Sequence, residues 1–311
     1  MTRRVKRLLR GLSVALLLAL ALFLANSAAC PLPAPEPYAG ALPAADPPPE
    51  MAVFQLPTGV IHRSAGFAYR GGSILDRRDF AMTALLVRHP RGDLLIDTGL
   101  GRDVEAHLEA MPWLFRAITR YDRGASAAEQ LAAAGYDRRR LKGVVLTHAH
   151  WDHVSGLPEL AGAPVWVPAE ERRFIAEGGD LTAVARGIAD LALTEVEFAD
   201  REYLGFPRSH DVYGDGSVVI VHAPGHTPGS VIVFLALPDG QRLAMLGDLV
   251  WQLEGIFERE ERPWLLRQLG DHDPEAVRVQ ILRVAAIAAR FPEIRWIPAH
   301  DQRGFAGLPR L

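Results

Sequence analysis

Thr147-His148-Ala149-His150-Trp151-Asp152-His153 follows directly on the apolar run Gly143–Leu146. Three histidines and a carboxylate crowd the end of what reads as a short buried strand. Imidazole nitrogen and carboxylate oxygen are the donors that suit zinc and similar divalent ions. In extended chain His148 and His150 point the same way. A helix starting just after them swings Asp152 and His153 to another side, so one segment can serve two neighbouring metals. The bland alternative is a solvated loop that happens to be histidine-rich. Three further positions weigh against it. His226 lies in Ala223-Pro224-Gly225-His226-Thr227-Pro228-Gly229, Asp248 in Leu246-Gly247-Asp248, and His300 in Pro298-Ala299-His300-Asp301. Each follows an apolar, strand-like run. Alone, each reads as a turn residue. Together they repeat one arrangement, polar donors at strand ends, which is how an α/β scaffold builds a site.

Strands and helices alternate through the rest of the chain. Ala84–Val87 and Asp93–Ile96 flank His89-Pro90-Arg91-Gly92 as a hairpin, with Asp97-Thr98-Gly99 as the turn that follows. Val104–Ile118 has helical spacing, and Ser126 caps a helix over Ala127–Ala134. Pro164–Val167 reads as a strand, Pro168 and the acids after it as a helix start, and Asp180–Leu193 as a helix. Ser217–Ala223, Ser230–Leu237 and Gln241–Leu246 are strands, Glu275–Arg290 a helix and Ile294–Ile297 a last strand. This mixture makes the class α/β or α+β.

At 311 residues and 49 % hydrophobic, the chain can bury a sizeable core. Its one cysteine, Cys30, excludes an internal disulfide framework. Residues 1–29 hold five cations and no acid, so the remainder takes the net charge from −3 to −8. An acidic body repels polyanions, and no nucleic-acid partner is expected. The cations precede an apolar run, Gly11–Ala25, and small residues up to Cys30. That is the layout of a signal peptide, with an uncleaved N-terminal anchor as the alternative. Either points to an exported, periplasmic or membrane-anchored protein. Cys30 resembles the lipidated cysteine of bacterial lipoproteins, although Ser27 stands where leucine is usual, and cleavage after Ala29 fits as well. Residues 31–49 contain eight prolines and read as a semi-rigid linker over 30–50 that holds the folded part, 51–311, off a membrane surface.

His148-x-His150-x-Asp152-His153, with His226, Asp248 and His300 in that order, resembles the metallo-β-lactamase superfamily from about Met51 to His300. The resemblance implies a four-layer αβ/βα sandwich in a single domain, with two divalent metal ions, zinc by default, at one edge between two sheets. His148, His150 and His226 would hold one ion and Asp152, His153 and His300 the other, with Asp248 bridging. Asp97, in Leu95-Ile96-Asp97-Thr98-Gly99, matches the family's first motif and would orient a ligand histidine, fixing its tautomer. Thr227 and Gly229 would shape the loop of His226. His62, His89, His107, His210, His222 and His272 read as surface or structural residues, the fourth and last in loops near the site.

Two ions about 3.5–4 Å apart can share one hydroxide and lower the pKa of bound water towards about 7. Asp152 is then the group to carry a proton to the leaving atom. The expected reaction is hydrolysis of a small-molecule lactone or ester, with thioesters, phosphodiesters and β-lactams as alternatives. A non-catalytic, membrane-tethered metal-binding protein is the contrasting class. The true β-lactamases of the superfamily lack a bridging aspartate, so Asp248 favours the lactonase, glyoxalase II and phosphodiesterase branches. No basic glutathione-binding tail follows His300. Length and motif order look most like N-acyl homoserine lactone lactonases, but Trp251 stands where those enzymes commonly carry tyrosine. Met111, Trp113, Leu114 and Phe115, then Trp251, Leu253, Ile256, Phe257, Trp264 and Leu265, form two apolar segments expected to flank the site and suit an acyl chain.

Overall fold

The computed structural model describes residues 3–311. Met1 and Thr2, where the expected leader begins, lie outside the described residues. Seven strands form the first sheet: β1 (Ala52–Ser64), β2 (Arg77–Arg88), β3 (Asp93–Ile96), β4 (Tyr121–Arg123), β5 (Leu141–Val145), β6 (Val165–Val167) and β7 (Leu193–Glu195), in the order β4-β1-β2-β3-β5-β6-β7. The second sheet holds β8 (Ser209–Asp211), β9 (Val218–His222), β10 (Val231–Ala236), β11 (Arg242–Gly247) and β12 (Ile294–Pro298), in the order β12-β11-β10-β9-β8. Apolar runs such as Ala81–Val87 are buried on both faces, so they read as continuous rather than alternating patterns.

Alternate residues of each strand enter different cores, which fixes the layering. Leu85, Val87, Leu94, Ile96 and Val145 meet Val218, Ile220, Val233 and Met245 in a core between the sheets. Their sequence neighbours Leu86, Leu95 and Val144 face helices on the outer side of the first sheet. Val219, Val221, Ile232 and Phe234 likewise face Ile281, Val284 and Ile287 on the outer side of the second. The result is the expected four-layer sandwich.

The helices in chain order are α1 (Arg3–Ser27), α2 (Ala65–Ala68), α3 (Val104–Glu109), α4 (Trp113–Ile118), α5 (Ala127–Ala133), α6 (Trp151–Val154), α7 (Ala169–Glu177), α8 (Ala183–Gly187), α9 (Glu254–Phe257), α10 (Trp264–Gly270), α11 (Pro274–Arg290) and α12 (Gln302–Phe305). Ser126 and Glu129 close a reciprocal capping box on α5. Two helical expectations are corrected. Val104–Ile118 is two helices, because Pro112 lacks the N–H that a continuous helix needs there. Asp180–Leu193 holds a short 3-10 turn and α8 before the chain straightens into β7, with Asp190 in the left-handed region.

Residues 31–49 have no regular secondary structure, but they do not project as a spacer. Leu32, Tyr38 and Leu42 pack against the core of the second sheet and α11, and the Tyr38 ring meets Phe291 edge-on at 6.1 Å. Leu32 donates its N–H to Arg259 and Asp46 to Asp215. The stretch contains enough apolar side chains to gain by lying on the domain, and its prolines keep it extended while it does so.

Candidate metal centre

Donors from both sheets meet at one edge. His148 and His150 leave the end of β5, and the chain turns at once into α6, which carries Asp152 and His153. His226 follows β9, Asp248 follows β11 and His300 follows β12. The strand pairs β3–β5 and β11–β12 are parallel, so Asp97, His148, Asp248 and His300 all sit at carboxyl ends, where open α/β sheets place their ligands. Gly247 makes the approach possible. Its φ is +54°, and a Cβ there would lie 2.8 Å from that of Thr147.

Three groups of donor atoms lie within 4.8 Å of one another: His148, His150 and His226; His148, His153 and Asp248; and Asp152, His153 and His300. Asp248 joins them. Its Oδ1 is 3.2 Å from His153 Nε2 and 3.0 Å from His300 Nε2, and its Oδ2 is 3.5 Å from His226 Nε2 and 4.0 Å from His148 Nε2. Asp152 Oδ2 is 3.5 Å from His300 Nε2. All seven residues singled out as metal ligands are therefore brought together.

The outward nitrogens are engaged. His153 Nδ1 lies 2.8 Å from Asp97 Oδ2, His226 Nδ1 lies 2.8 Å from Asp271 Oδ1, and His300 Nδ1 lies 3.0 Å from the Ala81 carbonyl. Each such acceptor holds a proton on Nδ1, so that the neutral ring has its Nε2 lone pair facing inward. Nε2 of His148, His150, His153 and His226 is buried without a hydrogen-bond partner, as is Asp248 Oδ1. Buried polar atoms are rarely left so. Clustered orphans of these types, from four histidines and Asp248, with His300 and Asp152 beside them, fit divalent metal ions.

Charge follows the same division. Burial, helped by neighbouring imidazoles, holds His148 and His150 well below the usual histidine range, so both stay neutral and able to donate a lone pair. Burial also acts on His153 and His300, but the carboxylates around them prevail and raise both. Asp248 is held well below the usual carboxylate range. Its own burial opposes this and is outweighed by His300 and His153.

Asp97 does more than hold one imidazole. Its two oxygens accept from Thr147 N at 2.7 Å and Thr147 Oγ1 at 2.8 Å, besides meeting His153. Its φ is +54°, a conformation that costs a non-glycine residue about 1–3 kcal/mol and persists where the surroundings over-determine it. Replacement by asparagine keeps the size but presents an N–H₂ to one of these donors. Asp97→Asn is expected to weaken metal affinity about 10–100-fold, measured by competition with a chromophoric chelator. Wild-type affinity would show that His153 is oriented by something else.

Two functional residues had no recognised sequence signal. Asp271 holds His226 and takes both oxygens' worth of contact from Arg262 Nη1, at 2.8 and 3.1 Å. Glu171 on α7 is fully buried and accepts from Ala149 N at 2.7 Å, Thr227 Oγ1 at 2.6 Å and Gly229 N at 3.0 Å. It braces the His148–His150 segment to the His226 loop. Thr227 and Gly229 shape that loop through it, and a Cβ on Gly229 would lie 2.4 Å from Glu171.

Trp251 donates its indole N–H to Asp248 Oδ2 at 2.8 Å. Phe67 stacks on its ring at 5.3 Å, and the Arg262 guanidinium lies 4.7 Å from its centroid. Of the two apolar segments, Trp251 and Phe115 touch the site's surroundings, Phe115 through Trp151 at 6.0 Å. Met111 and Ile256 are core, whereas Trp113, Leu114, Phe257, Trp264 and Leu265 are exposed. His272 borders the site, donating its backbone N–H to the His226 carbonyl. His210 does not; it lies on β8, bonded to the Glu197 carbonyl.

A family model described as metallo-beta-lactamase superfamily matches residues 77–290. The chain belongs to the metallo-beta-lactamase superfamily. Within it, the chain is 27 % identical over 179 residues to an N-acyl homoserine lactonase of Azorhizobium caulinodans, covering 54 % of this chain and 65 % of that one. It is 28 % identical over 232 residues to a probable metallo-hydrolase of Mycobacterium tuberculosis, covering 70 % and 73 %. The match spans just under two thirds of the length of the lactonase. Among solved structures, an N-acyl homoserine lactone hydrolase with N-hexanoyl-L-homoserine at its catalytic metal centre aligns with a TM-score of 0.60 at 17 % identity, covering 81 % of this chain and 93 % of that one. A quorum-quenching N-acyl homoserine lactone lactonase aligns at 0.62 and 16 % identity, covering 87 % and 98 %. These structural matches establish the shared fold.

Proposed function

We propose that this protein is an exported, metal-dependent hydrolase of a lactone or ester bearing an acyl chain. The observation that carries the reading is the convergence of the donor groups around Asp248, with four inward imidazole nitrogens that have no other partner. The names of its relatives, lactonases and probable metallo-hydrolases, support it. His148, His150 and His226 would hold one divalent ion, Asp152, His153 and His300 a second, and Asp248 both, with zinc the first choice for these donors. When bound, such a pair supplies an activated water at neutral pH and a Lewis acid for the substrate carbonyl.

The chain's own residues do the rest. Asp152 keeps 12 % of its side chain exposed, more than His300 or Asp248 beside it. It is the carboxylate placed to move a proton to the leaving oxygen. Trp251 has its single N–H given to Asp248 and no hydroxyl to offer a substrate carbonyl. Its ring, with Phe67 and Phe80, instead walls the site with aromatic surface, which excludes water and suits an acyl chain.

The test is acid release, followed by pH-stat, from zinc-loaded protein given lactones and esters of increasing acyl length. Release that a chelator abolishes, and that rises with acyl length, is expected. No release from any of these substrates by metal-loaded protein would overturn the reading and direct the search to phosphodiesters, thioesters or a role without turnover.

A further inference from the structure

α10 is inverted. Arg267 is buried and ion-paired to Glu261, which also takes Arg278 Nε at 2.7 Å. Trp264, Leu265 and Leu269 are 51 %, 52 % and 65 % exposed. A water-facing helix has the opposite pattern. Across Trp251, the loop after α2 repeats it, with Ile74 and Leu75 61 % and 86 % exposed. Trp251 lies between them: Phe67 of α2 stacks on its ring, and Arg262, two residues before α10, also packs against it. Exposed apolar surface of this kind marks a contact with something other than water.

The end of α1 meets the same surface. Arg10–Ser27 is long and apolar enough to cross a membrane. Its last residues are bonded to these same two elements. Leu265 N donates to Asn26 Oδ1 at 2.8 Å, Gly71 N to the Ser27 carbonyl at 2.7 Å, and Arg70 Nε to the Ala28 carbonyl at 2.9 Å. Cys30 N donates to Glu260 Oε2 at 3.0 Å. Either a retained helix or a lipid on Cys30 would therefore bring a bilayer to the same rim. The exposed Arg4, Arg7 and Arg10 at the far end of α1 suit the cytoplasmic side, which puts the domain on the other.

We propose that the surface carried by Ile74, Leu75, Trp264, Leu265 and Leu269 rests in the interfacial layer of the bilayer that holds the N-terminal end, so that the metal site draws acyl substrates from lipid. The substrate part of this rests on the hydrolase reading above; the docking part does not. Tryptophan is at home in the interfacial layer, and an apolar helix face sinks into it about 5–10 Å. The domain sits on the membrane, not away from it on a spacer.

The test uses the full chain reconstituted into phosphatidylcholine vesicles containing phosphatidylglycerol, with and without brominated lipid. Emission lost in Trp264→Phe reports Trp264. It is expected to be quenched at least about twofold by brominated lipid and little by acrylamide, as for an interfacial indole. Trp264→Asp combined with Leu265→Asp should slow hydrolysis of a bilayer-resident long-acyl ester by about tenfold, through lost interfacial contact, and leave a water-soluble short-acyl ester unchanged. Quenching of Trp264 by acrylamide alone overturns the proposal. Protection from both quenchers, with cross-linking between copies, overturns it in favour of self-association. Lipid quenching without hydrolysis of either ester upholds the docking and overturns the hydrolase reading instead.

Discussion

Asp248→Ala is expected to leave a folded protein with almost no hydrolytic activity and a reduced metal content. Asp248 is the one donor whose carboxylate reaches toward both sides of the cluster, within 3.0–4.0 Å of four inward imidazole nitrogens. Without it, those nitrogens face one another with no anion between them. Two cations held close together then repel without the shared negative charge that offsets the repulsion. The loss of rate should far exceed the roughly 10–100-fold that removal of an outer partner costs. Some stability should go with it, since His153, His300 and the Trp251 indole all lose the carboxylate they face. Metal per chain by elemental analysis, beside pH-stat rates, checks both halves. Full metal content with a wild-type rate would remove Asp248 from its shared position.

Glu171→Ala should have the largest effect on stability. It strands three buried donors, Ala149 N, Thr227 Oγ1 and Gly229 N. Each costs about 1–3 kcal/mol unpaired, so the total, on the order of 5 kcal/mol, is comparable with the whole stability of many domains. The variant should melt far lower or fail to accumulate. Glu171→Gln is the milder comparison and carries a pH signature. Burial pushes the Glu171 carboxyl up to about 7, against the opposing hydrogen bonds from Thr227, Ala149 and Gly229. A carboxyl raised on folding binds its proton more tightly in the folded state. Its contribution is therefore complete below about pH 4.5 and fades as pH rises through about 7, by about 3 kcal/mol. Glutamine cannot titrate. The wild type's melting temperature minus that of Glu171→Gln should fall between pH 5 and 8, and a difference independent of pH would show that Glu171 is ionised throughout.

The legible residues were the ones whose chemistry is local. His148, His150, Asp152 and His153 crowd into one strand-to-helix turn, and His226, Asp248 and His300 each follow a strand readable from its own apolar run. The outer partners are another matter. Asp271 lies 45 residues from His226, and Glu171 lies 22 and 56 residues from the donors it braces at Ala149 and Thr227. Nothing beside either residue distinguishes it from a surface carboxylate; folding alone brings it to its partner. The packing of residues 30–50 is hidden from the sequence for a related reason. Its prolines signal extension, which is correct, but say nothing of whether Tyr38 will find Phe291. Composition does not reveal which face of a helix is turned inward, so the exposed apolar residues of α10 read from sequence like a site wall.

The course of residues 30–50 over the domain has a consequence for the order of assembly. This segment leaves the ribosome early, yet Cys30 bonds to Glu260, Leu32 to Arg259, and Tyr38 packs on Phe291. Glu260, Arg259 and Phe291 are all made more than two hundred residues after the residues they meet. During synthesis it must wait, and proline suits the wait: it cannot enter the interior of a helix or a central strand. Eight prolines leave the segment few ways to pair with a strand before α11 is in place to receive it.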